Sequence, residues 1–257
     1  MIFADAQLAR RVEAAESSNA RGCGLRDGAA VLEIAGGCAI FLGAESPLTQ
    51  AVGIGLNGPV GPQAIGEIES FFRGRGARVT LDICPLTDPG LLPILAARGY
   101  HLTEFSNVLV KRLSGTPELP TPRVRRASAD ECDLWSYTVG RGYFDTPELS
   151  EQEMDVGRAI FEMPGALCYL ASDESGRPVA GAAAAVYDGL VVLFADSTIA
   201  SSRRCGFQRE LIAARLNEAI SRGCDVATAS TQPGSASQRN YERMGFEVIY
   251  TRVTLVA

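Results

Sequence analysis

The segment Arg203-Arg204-Cys205-Gly206-Phe207-Gln208-Arg209 places one glycine at the mouth of an amphipathic stretch, with three arginines around it. A helix start leaves backbone N–H groups without intrahelical partners and carries partial positive charge. It is therefore a seat for a phosphate or pyrophosphate, and the arginine side chains add charge where the backbone already attracts anions. Backbone N–H groups over residues 204–209 would hold such a group. The chemistry to look for is that of a cofactor with a phosphate tail.

The elements that position this loop are legible around it. Phe207, Leu211, Ile212, Arg215, Leu216, Ala219 and Ile220 fall at helical spacing and predict a helix over 207–221. Arg222-Gly223 ends it, and strand 225–230, a Pro233-Gly234 turn, helix 237–244, Gly245-Phe246 and strand 248–256 follow. Upstream, 123–127 opens a strand. Ser128-Ala-Asp-Glu131 has capping-box spacing and starts a helix, and a further helix covers 151–161. Residues 167–172, 179–187 and 190–197 read as successive strands, joined by Asp173-Glu-Ser-Gly176 and by Asp188-Gly189.

The first half repeats the later part of this order. Helix 63–75, with Ile65, Ile68, Phe71 and Phe72 on one face, precedes strand 78–83, a Pro89-Gly90 turn, a short helix over 95–98, Gly99-Tyr100 and strand 108–110. Two copies of one fold explain the shared order. Prolines 117, 120 and 122 exclude helix or a central strand between the copies. The expected organisation is a first domain over 1–113, a linker over 114–122 and a second domain over 123–257.

Composition excludes several classes. Net charge is −6, which argues against a general nucleic-acid binder. No apolar run approaches the roughly 20 residues of a membrane span, and the N-terminus lacks the pattern of a signal peptide. With one histidine, His101, and seven scattered cysteines, no zinc spacing can be assembled, and no metal is expected. The cysteines read as free thiols in a reducing compartment, and the protein as soluble and cytoplasmic. Gly53-Ile-Gly-Leu-Asn-Gly58 fits the dinucleotide pattern, but Pro59 and Pro62 would fall in the early turns of its helix, so no nucleotide is expected there.

The strand and helix order, with the Arg203 loop after the fourth strand of the second half, resembles the GNAT superfamily of N-acetyltransferases. Their acetyl-CoA loop runs Gln/Arg-x-x-Gly-x-Gly/Ala. Arg203 and Gly206 fill its first two fixed positions, and Gln208 departs from the third, so its side chain must turn aside. Tyr241-Glu-Arg-Met-Gly-Phe246 resembles the family's Tyr-x-x-x-Gly-Phe close. The resemblance implies an α/β (α+β) fold of two tandem GNAT-like domains, each a mixed, mostly antiparallel twisted sheet flanked by helices. The counterpart of the loop in the first half, Leu56-Asn-Gly-Pro-Val-Gly-Pro62, has no basic residue and two prolines. The first copy is therefore expected to have lost its site.

What the resemblance implies about chemistry is attack of an amine on the thioester of acetyl-CoA. Arg203, Arg204, Cys205, Gly206, Phe207, Gln208 and Arg209 would hold the diphosphate. Backbone groups of Ser197, Thr198 and Ile199 would pair with the pantetheine arm like an added strand. Tyr241 occupies the position of the proton donor to the leaving thiolate, and Asn240 is placed to contact the cofactor. Asp196 is the candidate base, with a water chain as its alternative. Tyr143, Asp145 and Glu148, in the loop between the first two helices of this half, are candidates for the amine acceptor. The acceptor would be a small molecule or peptide; neither nucleic acid nor membrane is expected as a partner, and a homodimer is possible. Two functions follow: an acetyl-CoA-dependent N-acetyltransferase, or a non-catalytic protein that binds or senses acyl-CoA.

Overall fold

The computed structural model describes residue 2 and residues 5–115 and 121–257. The centre of the expected linker, residues 116–120, lies outside the described residues. The chain forms two compact units: one of Met1–Val108 with Val248–Ala257, the other of Leu109–Glu247.

The first unit contains α1 (Ala6–Cys23), β1 (Ala30–Ile34), β2 (Gly37–Phe41), β3 (Gln50–Val52), α2 (Pro62–Arg73), β4 (Thr80–Ile83), α3 (Leu91–Ala97) and most of β5 (His101–Arg112). Strands β1 to β3 are antiparallel, and β3 pairs with β4 in parallel. Ile65, Ile68 and Phe72 of α2 pack with Leu81, Ile83, Leu91 and Leu95 to form its core.

The second unit begins with the end of β5 and continues through β6 (Val124–Arg126), α4 (Cys132–Tyr143), α5 (Glu151–Phe161), β7 (Leu167–Ser172), β8 (Pro178–Tyr187), β9 (Leu190–Thr198), α6 (Phe207–Ser221), β10 (Val226–Thr231) and α7 (Ala236–Arg243). Strands β6 to β9 form an antiparallel meander, and β10 joins β9 in parallel. Strands β7 and β8 read as near-continuous apolar runs because both faces are covered, by α6 on one side and α4 on the other. The Asp188-Gly189 hairpin has positive φ at both residues, the conformation that its two-residue loop demands. Ser150 caps α5 and Glu153 returns the bond to its backbone, and the same box stands at Ser128 and Glu131.

Two features differ from expectation. The last strand, β11 (Glu247–Val256), lies in the first unit from Val248 on, although the linker prolines point to a simple division near residue 114. There it pairs antiparallel with β4, Val253 opposite Ile83 and Leu255 opposite Leu81. Its Arg252 and Tyr250 bond Glu13 of α1 at 2.7 and 2.6 Å. Residues 6–52, for which no apolar period predicts elements, fold into α1 and three short strands. The buried face of α1 carries Glu13, Ser17 and Asn19 among small residues, which hides its helical stripe. Among the described residues, no helix is long and apolar enough to cross a membrane.

Candidate functional site

The site begins with an irregularity in β9. Ala180 and Gly181 of β8 pair with Thr198 and Ser197, but Ala183 pairs with Phe194. One residue, Ala182, therefore faces two, Ala195 and Asp196, and Ala195 takes a left-handed φ of 55°. Such a bulge bends the strand and re-aims the side chain beside it. The parallel pairing with β10 runs from Leu190–Val226 to Leu193–Ala229, while β9 continues to Thr198. Past Leu193 the end of β9 has no strand partner on the β10 side among the described residues.

The chain then makes a 3₁₀ turn over Ala200–Ser202 and enters the loop. Arg204 stands at φ 66° and Gly206 at φ 86°, where glycine alone carries no steric penalty. Gly206 is the N-cap of α6 and supplies no side-chain bond to the helix start. Arg123 holds the loop from behind. Its Nη2 donates to the Cys205 carbonyl at 3.0 Å, its Nε to Glu210 at 2.9 Å, and its guanidinium lies 4.3 Å from the Phe207 ring centre. The pairing with Arg123 neutralises the one acid in the first turn of α6.

A cavity of about 650 Å³ lies between this loop, the end of β9 and α7. Ser197, Thr198, Arg203, Arg204 and Asp196 line it, with Gly206, Phe207, Gln208, Arg209 and Asn240. So do Ser202, Ser237, Arg239 and Arg243, which the sequence motifs do not mark. Arg203 is occupied: it donates to the Thr198 and Gly142 carbonyls at 3.2 and 3.1 Å and pairs with Asp145 at 2.8 Å. Arg204, Arg209, Arg239 and Arg243 have exposed side chains with no partner among the described residues. Four unbalanced guanidiniums face one cavity in a protein of net charge −6.

Gln208 does turn aside. Its Nε2 donates to Ser237 Oγ at 2.7 Å and its Oε1 accepts from Asn240 Nδ2 at 2.8 Å, which ties α6 to α7. Ile199 and Cys205 do not line the cavity. The Ile199 N–H is spent on the Val179 carbonyl at 3.0 Å, and the Cys205 thiol is exposed.

Asp196, on the cavity wall, is in contact with Arg215 and Tyr241, which are buried behind it and do not themselves line the cavity. Arg215, fully buried on α6, grips both carboxylate oxygens of Asp196 at 2.5 and 3.0 Å. It also donates to the Leu211 and Ala183 carbonyls at 3.0 and 2.9 Å. The Tyr241 hydroxyl donates to Asp196 Oδ2 at 2.8 Å, and its ring meets Phe246 edge-on at 5.0 Å. Burial, then the Asp196 charge, pushes the Tyr241 phenol well above its ordinary range, so it stays protonated. Asp196 and Tyr241, the two candidate catalytic residues, are thus in contact. With both its oxygens engaged, Asp196 is a poor fit to the role of free base. Arg215 was detectable in the sequence as a charged residue at an apolar-face position of an amphipathic helix.

The acceptor candidates are arranged differently from expectation. None of Tyr143, Asp145 and Glu148 lines the cavity. Tyr143 is exposed and stacks edge-on against Phe144, Asp145 is taken by Arg203, and Glu148 is exposed. Gly142 brings their loop against β9: a Cβ there would lie 2.7 Å from the Thr198 carbonyl carbon. Among the described residues no group of three or more His, Cys, Asp or Glu could hold a metal ion.

The matching loop of the first unit is closed on itself. Ile54 and Leu56 are buried, Thr87 donates to the Ile54 carbonyl at 2.6 Å, and Asp88 accepts from Val60 N–H at 3.0 Å. Helix α2 starts at Pro62, after the glycines rather than within them.

Solved structures share this architecture. A GCN5-related N-acetyltransferase from Kribbella flavida is 23% identical, with 95% of each chain covered and a TM-score of 0.67. The chain has the GNAT fold, in tandem. A tandem GNAT protein from the clavulanic acid biosynthesis pathway matches over 98% of this chain and 93% of its own, at 15% identity and a TM-score of 0.61. A third, a GCN5-related N-acetyltransferase from Sphaerobacter thermophilus, is 16% identical over 89% of this chain and 75% of its own, at a TM-score of 0.60. No family model and no curated protein matches the sequence. The GNAT likeness is one of fold.

Proposed function

We propose that this chain transfers an acetyl group from acetyl-CoA to a primary amine by direct attack, and that the second unit alone carries the activity. The observation that carries this reading is the cavity where β9 parts from β10, walled by an uncapped helix start and four unpartnered arginines. Bound acetyl-CoA supplies an acyl carbon open to attack and a thiolate that must leave. The free N–H groups at the start of α6, with Arg204 and Arg209, suit the diphosphate. The edge of β9 at Ser197 and Thr198, which pairs with β8 but not with β10, suits the pantetheine amides once Arg203 releases the Thr198 carbonyl. Asn240, held by Gln208, lines the same cavity and is placed to contact the cofactor.

Tyr241 keeps the proton that the departing sulfur needs. To deliver it, the hydroxyl rotates about its Cζ–Oη bond away from Asp196. Arg215 remains bidentate on that carboxylate, so Asp196 is not left buried and unpaired when the hydroxyl turns. The amine proton leaves through water and restores the Tyr241 phenol, so that sulfur gains one proton, the amine loses one and the protein ends the cycle unchanged. Seven free cysteines fit a reducing compartment, and we place the reaction in the cytoplasm.

The test is release of free thiol from acetyl-CoA by the full chain against a panel of amines. Turnover on any of them supports the reading; CoA binding without turnover on all of them overturns the enzymatic part. That second outcome is the non-catalytic acyl-CoA sensor. One observation favours it: among the described residues Asp196 is the only carboxylate on the cavity wall, and its oxygens are already engaged.

A further inference from the structure

Helix α7 carries Arg239 and Arg243 one turn apart, and both line the cavity. Like charges at this spacing repel and weaken a helix. A relieving partner is within sequence reach: Glu242 follows Arg239 by three residues. Yet Glu242 accepts instead from Gln238 Nε2 at 2.7 Å, and neither arginine has a side-chain partner among the described residues. Elsewhere in the second unit seven arginines, at 123, 125, 158, 177, 203, 215 and 222, are paired with acids, while Arg112, Arg126 and Arg141 have no acid partner among the described residues but do not line the cavity.

The pair sits apart from the helix start that suits the diphosphate. It is on a different helix, which Gln208 holds at a fixed place beside α6 through Ser237 and Asn240. Two guanidiniums with free donors on one face match a phosphomonoester dianion, whose three oxygens accept several charge-assisted bonds at once. The diphosphate is a diester and carries one charge per phosphorus. CoA has one phosphomonoester, on the 3′-hydroxyl of its ribose.

We propose that Arg239 and Arg243 form a second anion subsite that binds the ribose 3′-phosphate of CoA and makes the protein discriminate CoA from its 3′-dephospho form. This rests on the acyl-CoA reading above. The pair is a specificity element and has no part in the chemical step.

The test is calorimetric titration of the full chain with CoA and with 3′-dephospho-CoA, in wild type and in the Arg239→Gln/Arg243→Gln variant. Wild type should bind CoA at least about tenfold more tightly, the effect of one or two charge-assisted bonds. The double variant should lose that preference and keep its affinity for 3′-dephospho-CoA. Arg209→Gln is the control and should weaken both ligands in similar proportion. The substituted side chains are exposed, and matching thermal unfolding of the variant would show the fold intact. Equal wild-type affinity for the two ligands would overturn the assignment while leaving the acyl-CoA reading in place. So would a double variant that loses both ligands in proportion. Absence of CoA binding by the wild type would remove both.

Discussion

The Tyr241 hydroxyl donates to Asp196 Oδ2 at 2.8 Å, and the same carboxylate is held through both oxygens by Arg215. A candidate acid and a candidate base thus form one unit, neutralised by a buried cation. The arrangement fixes the phenol in place and engages both oxygens of the carboxylate.

Removing the phenol oxygen isolates its part. Tyr241→Phe should slow turnover by about 10² to 10⁴, the usual contribution of a positioned proton donor, with little change in CoA affinity. Because burial and Asp196 hold the phenol well above its ordinary range, wild-type activity should show no alkaline loss from this group up to pH 10. A rate for Tyr241→Phe equal to that of wild type would remove the hydroxyl from the mechanism.

Arg215 is tested by stability rather than rate. Arg215→Met leaves Asp196 buried with no cation, a change that costs about 3 to 5 kcal/mol. Substituting both partners, Arg215→Met with Asp196→Leu, should recover most of that loss, since no uncompensated charge remains. Urea unfolding of the two single variants and the double variant measures the coupling. A double variant no more stable than Arg215→Met would show that the bulge carbonyls, rather than Asp196, depend on the guanidinium.

Much of this was legible in the sequence, because the informative signals are local. Gly206 before an amphipathic helix, Asp188-Gly189 between alternating strands and Ser150 three residues before Glu153 each set geometry within a few residues. The loop around Gly206 and its neighbours could therefore be placed on the right elements. What escaped detection depends on contacts distant in sequence. Arg252 of β11 finds Glu13 near the other end of the chain, so the strand lies in the unit opposite to the one the linker prolines suggest. The bulge at Ala195 leaves no composition mark. Arg239 and Arg243 read as an ordinary exposed helix face until the cavity beside them is seen.

The buried charges around Arg252 predict a pH effect on the first unit. Arg252 is surrounded by Glu13 at 2.7 Å and by Glu16 and Asp82, each at 3.6 Å. Burial pushes the Asp82 carboxyl up to about 6; Arg252 opposes this, and Glu13 and Glu104 add to it. Burial likewise raises Glu16. A folded-state value above the unfolded one means that the folded state binds the proton more tightly. The stabilisation is complete below pH 3.8 and is lost as pH rises through about 6. For Asp82 alone, a shift of this size corresponds to roughly 3 kcal/mol. Asp82→Asn, which mimics the protonated form, should therefore flatten this part of the pH dependence. Denaturant unfolding of both proteins at pH 5 and pH 8 checks it, and a variant with the wild-type slope would assign the effect elsewhere.

Gln208 stands where the GNAT loop pattern has a small residue, and its side chain bridges Ser237 and Asn240 instead of blocking the helix start. If it leaves the start of α6 clear, Gln208→Ala should bind CoA within about threefold of wild type, less than the effect of one net hydrogen bond. The same substitution removes two bonds between α6 and α7 and should lower stability by about 1 to 3 kcal/mol. It also frees α7, so the preference for CoA over 3′-dephospho-CoA should shrink as Arg239 and Arg243 lose their fixed place. Thermal unfolding and titration with the two ligands measure all three effects. A tenfold gain in affinity for CoA would show that Gln208 obstructs the diphosphate seat, because only removal of an obstruction improves binding while a tie between helices is lost.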